Sequence, residues 1–317
     1  MIYLVAPDPA SFISGGNRFN QQILNGLSSL GLAYKRIDFV ELDESKTNEE
    51  NIVIFDSLYI EQLSIHLLNR IKAKKVFLIH LLSSMVDRRD NISNEQTLLS
   101  GFDLIIANSV FTKDYCTQTL GLVNNIAIVQ PFIEKNQKIR DHSFRHKFIH
   151  VANWVPEKQI DLFLLALAKH KLPEDFSIYF YGDLHRSEEY FDHCKSVMDE
   201  YPDLKKHIHL TGILSHAMLL EEYEHAKLMI DTSSMETYGM AVAEAIAHGV
   251  PVISLGNGNT KLLINKSNGI VVKNMDEMVI SILSFYRGEL RFDQPDSVDI
   301  ITEWSLFSNQ LIQIIKA

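Results

Sequence analysis

Cysteine is nearly absent: the chain has two, Cys116 and Cys194, in 317 residues. They stand far apart in no zinc-ligand or Cys-x-x-Cys spacing, which excludes a disulfide framework and a thiol redox motif and leaves two free thiols of a reducing compartment. No run reaches the ~18 consecutive apolar residues of a membrane span. The opening MIYLVAPDP meets Pro7 and Asp8 at once, so it reads as a first core strand and not as a signal peptide. Together these absences predict a cytoplasmic chain. Positive charge is also in deficit. A net charge of −10 argues against nucleic-acid binding, which needs a basic face to neutralise phosphates. The basic clusters, Arg70–Lys75 and Arg88-Arg89, read as solvated helix ends, with peripheral docking on an anionic membrane as the alternative. No G-x-G-x-x-G follows any strand, which speaks against a dinucleotide oxidoreductase. There is no internal repeat and no low-complexity tract.

What remains is an ordinary globular composition, 46% hydrophobic and 22% charged, so order is expected. The length predicts about two domains. Short apolar, largely β-branched runs recur at Ile2–Ala6, Ile52–Phe55, Val76–Ile79, Leu104–Ala107 and Ile126–Val129. Such runs suit parallel strands buried on both faces. Helical segments lie between them at Arg18–Leu30, Tyr59–Lys72 and Val110–Leu120, with Ser109 placed as an N-cap and Gly31 as a C-terminal cap. Glu134–Arg145 is polar and aperiodic and reads as a linker. The pattern then restarts at Phe148–Ala152, Ser177–Tyr181, His207–Leu210, Leu228–Asp231, Val252–Leu255 and Ile270–Val272. Two alternating blocks predict an α/β chain of two doubly wound, Rossmann-like domains with a cleft between them, 1–136 and 137–298. An amphipathic helix at about Glu303–Ile315 closes a third segment, 299–317.

The chemistry concentrates in Leu228–Ser254, LMIDTSSMETYGMAVAEAIAHGVPVIS. A strand ends at Asp231, a loop of small hydroxyl residues follows, and a helix runs from Met240 to Ala247 with Glu244 as its one polar residue. The loop therefore stands at the carboxyl end of a strand, where open α/β sheets bind ligands. A carboxylate on so apolar a helix costs several kcal/mol unless it finds partners. Glu236 stands just before the helix, near the positive end of its dipole, where N–H groups also attract phosphate. The two glutamates are eight positions apart, ~12 Å if helical. A plainer reading makes Glu236 a dipole partner and leaves Glu244 half-exposed beside His248.

The block Ile208–Ser254 resembles the donor-binding core of the retaining family 4 glycosyltransferases. It has Gly212 after a strand, the Glu–seven residues–Glu pair, the Ala-rich helix and the closing Gly-Val-Pro-Val. The resemblance implies a GT-B fold whose last helix crosses back onto the N-terminal domain. It also implies transfer of sugar from a nucleotide-diphospho-sugar to a hydroxyl acceptor with retained anomeric configuration. Glu236 would then lie by the donor sugar's hydroxyls, Glu244 would bind the ribose, and backbone amides around Tyr238, Gly239 and Met240 would hold the diphosphate. Ser14-Gly15-Gly16-Asn17 resembles the family's glycine loop, where a diglycine permits positive φ and close contact. His80 matches the histidine that touches the donor sugar, and Lys158 the diphosphate lysine. Trp304 matches the tryptophan before the last helix. The first domain becomes the acceptor side, with loops Ser11–Arg18 and Leu81–Ser93, and the second the donor side.

Three positions depart from the family. Asn153 replaces the diphosphate arginine, Thr237 replaces a glycine, and the turn Leu255–Thr260 lacks its usual acidic residue. Arg18, Lys113 or Lys261 are candidate substitutes for the missing cation. No Asp-x-Asp stands near a strand end, so neither metal nor cofactor is expected, the nucleotide-sugar being a co-substrate. His142, His146 and His150 straddle the linker and a strand, which is not one helix face. The departures motivate a second reading, an impaired homologue serving as partner subunit of an active enzyme, in which a protein partner or homo-oligomer matters. A nucleotide-sugar 2-epimerase on the same fold is a third.

Overall fold

The computed structural model describes residues 1–9, 13–86, 91–123, 125–135, 147–292 and 300–316. Most of the expected linker Glu134–Arg145 lies outside the described residues, as do Ser11, Arg88, Arg89, His142 and His146. The chain divides into two units, Met1–Phe132 with Glu303–Ala317, and Ile133–Thr302. Among the described residues no helix is long and apolar enough to cross a membrane.

Unit 1 holds a six-stranded parallel sheet of β1 (Ile2–Val5), β2 (Tyr34–Ile37), β3 (Ile52–Asp56), β4 (Lys74–Ile79), β5 (Leu104–Ala107) and β6 (Asn125–Ile128). The order is β2-β1-β3-β4-β5-β6. All four residues of β5 and the last four of β3 and β4 are buried, as a sheet covered on both faces requires. Register pairs Val5 with Phe55, Phe55 with Phe77 and Ile79 with Ala107. The ends of β3, β4 and β5 are therefore level, which sets Asp56 and His80 on one edge. Strand β2, which the apolar-run reading misses, is the edge strand YKRI, with only Ile37 buried. It needs no apolar run, because one side of it meets water.

Two expected helices differ. Tyr59–Lys72 is a 3₁₀ turn, Ser57–Gln62, followed by a helix, Ile65–Arg70, because Ser64 caps a fresh start by accepting from Leu67 N–H at 3.2 Å. Val110–Leu120 widens after Asp114 into a π-type turn, Tyr115–Thr119. Ser109 does cap this helix, accepting from Thr112 N–H at 3.1 Å. The C-terminal helix, Trp304–Lys316, joins unit 1 against the helix Gly15–Ser29. A Cβ on Gly26 would stand 2.9 Å from Leu311 Cδ2 and 3.0 Å from Phe307 Cε1, so the missing side chain is what lets the helices close. Trp304 lies edge-on to Phe132, centroids 5.3 Å apart.

Unit 2 repeats the plan with β7 (Lys147–Val151), β8 (Ser177–Tyr181), β9 (Ile208–Gly212), β10 (Leu228–Asp231), β11 (Val252–Ser254) and β12 (Gly269–Val271), in the order β12-β11-β10-β7-β8-β9, all parallel. One face packs the helices Ile160–Ala168, Glu188–Glu200 and Met275–Tyr286, with Phe148, Phe163, Phe176 and Phe180 almost wholly buried among them. Each such side chain contributes roughly 1.5–3 kcal/mol by leaving water. The other face packs Met240–Ala247 and His216–His225. From β7 the chain winds outward to β8 and β9, and from β10 the opposite way to β11 and β12. The direction reverses between β7 and β10, the place where such sheets open a crevice beyond their carboxyl ends. Both cysteines are buried. Burial, and for Cys116 also the nearby Glu95 charge, pushes its thiol up to about 12.

Candidate active site

The loops leaving β7 and β10 meet at that reversal. After β7 the chain makes a 3₁₀ turn, Pro156–Lys158, and passes through Gln159, whose φ of +49° is left-handed, into the helix Ile160–Ala168. The unusual backbone at Gln159 ends one turn and starts the next, holding Lys158 at their junction. After β10 the chain runs through Thr232-Ser233-Ser234-Met235 to Glu236. The Lys158 ammonium pairs with the Glu236 carboxylate and reaches Ser233 Oγ at 3.3 Å; Ser233 donates in turn to Glu236 Oε1 at 2.9 Å. The Thr232 hydroxyl donates to the Lys158 carbonyl, and Ser234 N–H to the Glu157 carbonyl at 2.8 Å. Burial pulls the ammonium down. The charge and hydrogen bond of Glu236, with Asp231 and Glu157, outweigh that pull and raise it above the ordinary lysine value, so Lys158 is a cation at neutral pH.

Two buried groups stand behind this pair. Asp231 accepts from Ser254 Oγ at 2.7 Å and from Ser233 N–H at 3.2 Å. Burial, then the Glu236 charge, raises its carboxyl above the usual range despite those bonds and Lys158. His150, on β7, shares a 2.9 Å hydrogen bond between Nε2 and Thr232 Oγ1 and stacks on Phe180, centroids 5.0 Å apart. Because the Thr232 proton goes to the Lys158 carbonyl, Nε2 is the donor in that bond. Burial, then Lys158, drives the imidazole down to about 3. Among the described residues no group of three or more His, Cys, Asp and Glu is placed to share a metal ion.

Glu236 is fixed from its other side by the glycine-rich turn. Asn259 N–H donates to the Glu236 carbonyl at 2.7 Å, Asn259 Nδ2 to the Tyr238 carbonyl at 2.8 Å, and Asn257 Nδ2 to the Ser233 carbonyl at 3.0 Å. Gly258, at φ +69°, allows the approach: a Cβ there would fall 2.2 Å from the Glu236 carbonyl oxygen. Gly239, at φ +84°, caps the helix Met240–Ala247, whose first N–H groups have no intrahelical acceptor. The Tyr238 side chain is buried, and its hydroxyl is raised by burial and then by the Glu244 charge. Met240 is half-buried at the first helical position. Glu244 is 2% exposed, which removes the half-exposed reading. It takes a 3.4 Å contact from Tyr223 Oη and another from His216 Nε2, the partners that an apolar helix demands of it.

In unit 1, His80 directly follows β4 and is buried against the helix Gly15–Ser29. Its Nε2 is 3.0 Å from Asn20 Oδ1 and 3.3 Å from Asp56 Oδ2, and its N–H donates to Ser57 Oγ at 3.0 Å. Asn20 Nδ2 donates to Asp56, which leaves Asn20 Oδ1 as acceptor and makes Nε2 the protonated nitrogen. Burial pushes Asp56 up, but the His80 charge and the bonds from His80, Leu58 and Asn20 hold it below the usual carboxylate range. The glycine loop is corrected here. Gly15 and Gly16 open the helix itself, capped by Ser14, and neither has a positive φ. Gly16 supplies proximity instead of unusual backbone, since a Cβ on it would sit 3.2 Å from His80 Cγ.

Asn153 is a structural substitute for the expected arginine. Its Oδ1 accepts from Asp183 N–H at 2.9 Å, and Trp154 N–H donates to the Asp183 carbonyl at 2.8 Å, tying the loops after β7 and β8 together. Unit 2 thus gathers Lys158, Glu236, Tyr238, Gly239 and Met240 around the β7/β10 reversal, with Asn153 on the neighbouring loop and Glu244 within the helix. Sequence reasoning weighs His150 only as a metal ligand and passes over Asp231, Thr232, Ser233, Asn257 and Asn259 as site residues, and in unit 1 Asp56 and Asn20. The polar residue ending an otherwise apolar strand, in IVIFD and LMID, was a readable signal for both aspartates.

Comparison with known proteins decides the family. The model for Glycosyl transferases group 1 matches residues 132–292, half of the chain. The chain belongs to that family. Alpha-1,3/1,6-mannosyltransferase ALG2 of Kluyveromyces lactis is 24% identical over 267 residues, covering 68% of this chain and 52% of the relative. This chain therefore spans about half the length of that curated relative. Sucrose-phosphate synthase from Thermosynechococcus elongatus superposes with a TM-score of 0.73 at 15% identity, over 99% of this chain and 94% of the other. HepE of Anabaena, solved with UDP and glucose, gives 0.73 at 13% identity, over 100% and 99%. These likenesses establish the fold as GT-B, with two Rossmann-like units. The matched family is one of glycosyl transferases.

Proposed function

We propose that this chain is a cytoplasmic glycosyltransferase that moves a hexose from a nucleotide-diphospho-sugar to a hydroxyl, with retained configuration and no metal. The observation that carries the reading is the Lys158 ammonium, paired with Glu236 and Ser233 directly before the Gly239-capped helix. Cleavage of the donor puts negative charge on the departing diphosphate. A fixed cation and a helix N-terminus at one place stabilise such charge without reorganising at the moment of reaction. In this reading Lys158 meets the phosphate and releases Glu236 to the sugar hydroxyls, while Glu244 accepts from the ribose. For His80 the reading asks only for a contact with the donor sugar.

Isothermal titration with UDP, GDP and ADP and their sugar conjugates tests it. HepE was solved with UDP and glucose, and the Kluyveromyces relative is named a mannosyltransferase, so glucose and mannose conjugates head the panel. Binding of one nucleotide, weakened at least tenfold by Glu244→Ala, is the expected result. No binding by a folded chain overturns the donor site. The partner-subunit reading draws on Asn153, whose carboxamide is engaged by Asp183 where relatives would offer a cation. Donor hydrolysis by the chain alone eliminates that reading.

A further inference from the structure

Asp56 ends β3 with a wholly buried side chain. Its Oδ1 accepts from Leu58 N–H at 2.8 Å and caps the Ser57–Gln62 turn. That duty needs one oxygen, and a serine or asparagine performs it as well. The other oxygen, Oδ2, serves two side chains: it accepts from Asn20 Nδ2 and lies 3.3 Å from His80 Nε2. Taking an ion out of water costs several kcal/mol, so a carboxylate at this strand end calls for a purpose beyond the cap.

The purpose follows from what a carboxylate can and cannot do. Burial works against the charge, but the His80 charge and the bonds from His80, Leu58 and Asn20 outweigh it and keep Asp56 ionised at neutral pH. An ionised carboxyl only accepts. Asn20, itself wholly buried, must therefore turn Nδ2 to Asp56 and Oδ1 to His80, 3.0 Å from Nε2. Both groups in front of Nε2 are then acceptors, and the imidazole has to carry a proton there. A carboxamide at position 56 has the same shape and none of this direction: it would be able to donate to Asn20, Asn20 to reverse, and Nε2 to stand bare. Neighbouring groups fix where the ring lies. His80 N–H donates to Ser57 Oγ at 3.0 Å, so the residue after Asp56 anchors the backbone of the histidine. Gly16 stands one turn before Asn20 on the same helix face. A Cβ on it would lie 3.2 Å from His80 Cγ, and Phe19 meets the ring edge-on, centroids 5.8 Å apart.

We infer that Asp56 is a positioning residue of the proposed transfer: directly and through Asn20, its carboxylate fixes the orientation of the His80 ring and the nitrogen that carries the proton. The inference rests on the donor-sugar contact that the function proposed above asks of His80. Asp56 acts through the histidine and touches no substrate atom.

Two-bond proton–nitrogen spectra of the full chain, labelled at histidine, locate the ring proton, with His80 assigned through its own backbone. The parent is expected to show it on Nε2. Asp56→Asn keeps the shape and removes the charge. It is expected to mix the two tautomers and to lower kcat for nucleotide release from the donor about tenfold or more, with KM changed less than about threefold, because a misplaced group tells in the transition state. Combining Asn20→Asp with Asp56→Asn returns a carboxylate to the other side of the same cluster. The double variant is expected to recover the Nε2 proton and most of the lost kcat. A side chain that only packs would leave the tautomer of Asp56→Asn unchanged and gain nothing from the exchange. Either result overturns the inference. So does a parent whose proton lies on Nδ1, a measurement that needs no variant and stands if Asp56→Asn does not fold. The function and the inference fail separately. A parent that binds and releases no nucleotide removes the reaction, and with it any role for Asp56. A parent that turns over, beside an Asp56→Asn with parental kcat, removes the role of Asp56 alone.

Discussion

Mild acid is expected to weaken unit 2 through one side chain, His150. The imidazole is 2% exposed, and its value falls from an ordinary 6.5 to about 3. A value depressed in the folded state means that the unfolded chain takes up a proton first as pH falls. The stabilisation is therefore present above about pH 6.5 and is lost as pH drops toward 3. A full shift of this size corresponds to about 5 kcal/mol, and the part lost between about pH 6.5 and about pH 4.5 comes to about 2 kcal/mol. Urea unfolding followed by tryptophan fluorescence measures it. Trp154 lies in unit 2, its ring 5.6 Å from the Phe180 ring that stacks on His150, and a Trp304→Phe background removes the signal of the other tryptophan. His150→Gln keeps an N–H for Thr232 and cannot take up the proton. This variant is expected to lose about 2 kcal/mol less than the parent over that interval, even if its stability at neutral pH is lower. Equal losses in both proteins would refute the assignment and move the acid sensitivity to other groups.

Three further outcomes follow from the geometry. Gly239→Ala forces a side chain into left-handed backbone, roughly 1–2 kcal/mol, and places Cβ 2.7 Å from Thr260 Cγ2; urea unfolding of unit 2 should register both, with Thr260→Ser recovering the steric part. Lys158→Met leaves Glu236 and Asp231 without their cation and, if the proposed reaction is right, lowers kcat/KM for the donor by about 10²–10³, read by nucleotide release. Gly26→Val drives its branches into Leu311 and Phe307, so limited proteolysis should cut the C-terminal helix faster while leaving unit 2 intact.

The fold was legible wherever both faces of a strand are buried, because burial then writes itself as an uninterrupted apolar run. Ser177–Tyr181 and Leu228–Asp231 were read to the residue. Strand β2 was not, since an edge strand needs only one apolar position in four. The break at Ser64 was equally invisible to periodicity, because the apolar residues on either side still fit one helix while the serine's bond to Leu67 N–H starts another. Gly15-Gly16 shows the limit of reading glycine as conformation. Gly16 leaves room beside His80, and room is a property of the neighbour.

At the site, residue types were legible and charge balance was not. The sequence offers Lys158 and Glu236 as separate features 78 positions apart; folding pairs them and sets a second carboxyl, Asp231, behind the pair. One ammonium against two carboxylates is a poor place for a diphosphate unless one carboxyl gives up its charge. Burial and the Glu236 charge raise Asp231 toward its neutral form, and an arriving phosphate would raise it further by the same repulsion. In the proposed reaction a proton taken up by Asp231 would offset part of the charge of an arriving anion. Asn153 is left to hold the β7 and β8 loops together through Asp183. Restoring an arginine there would add charge but remove the acceptor for that N–H, so the substitution that looks like a lost function in the sequence is a structural bond in the fold.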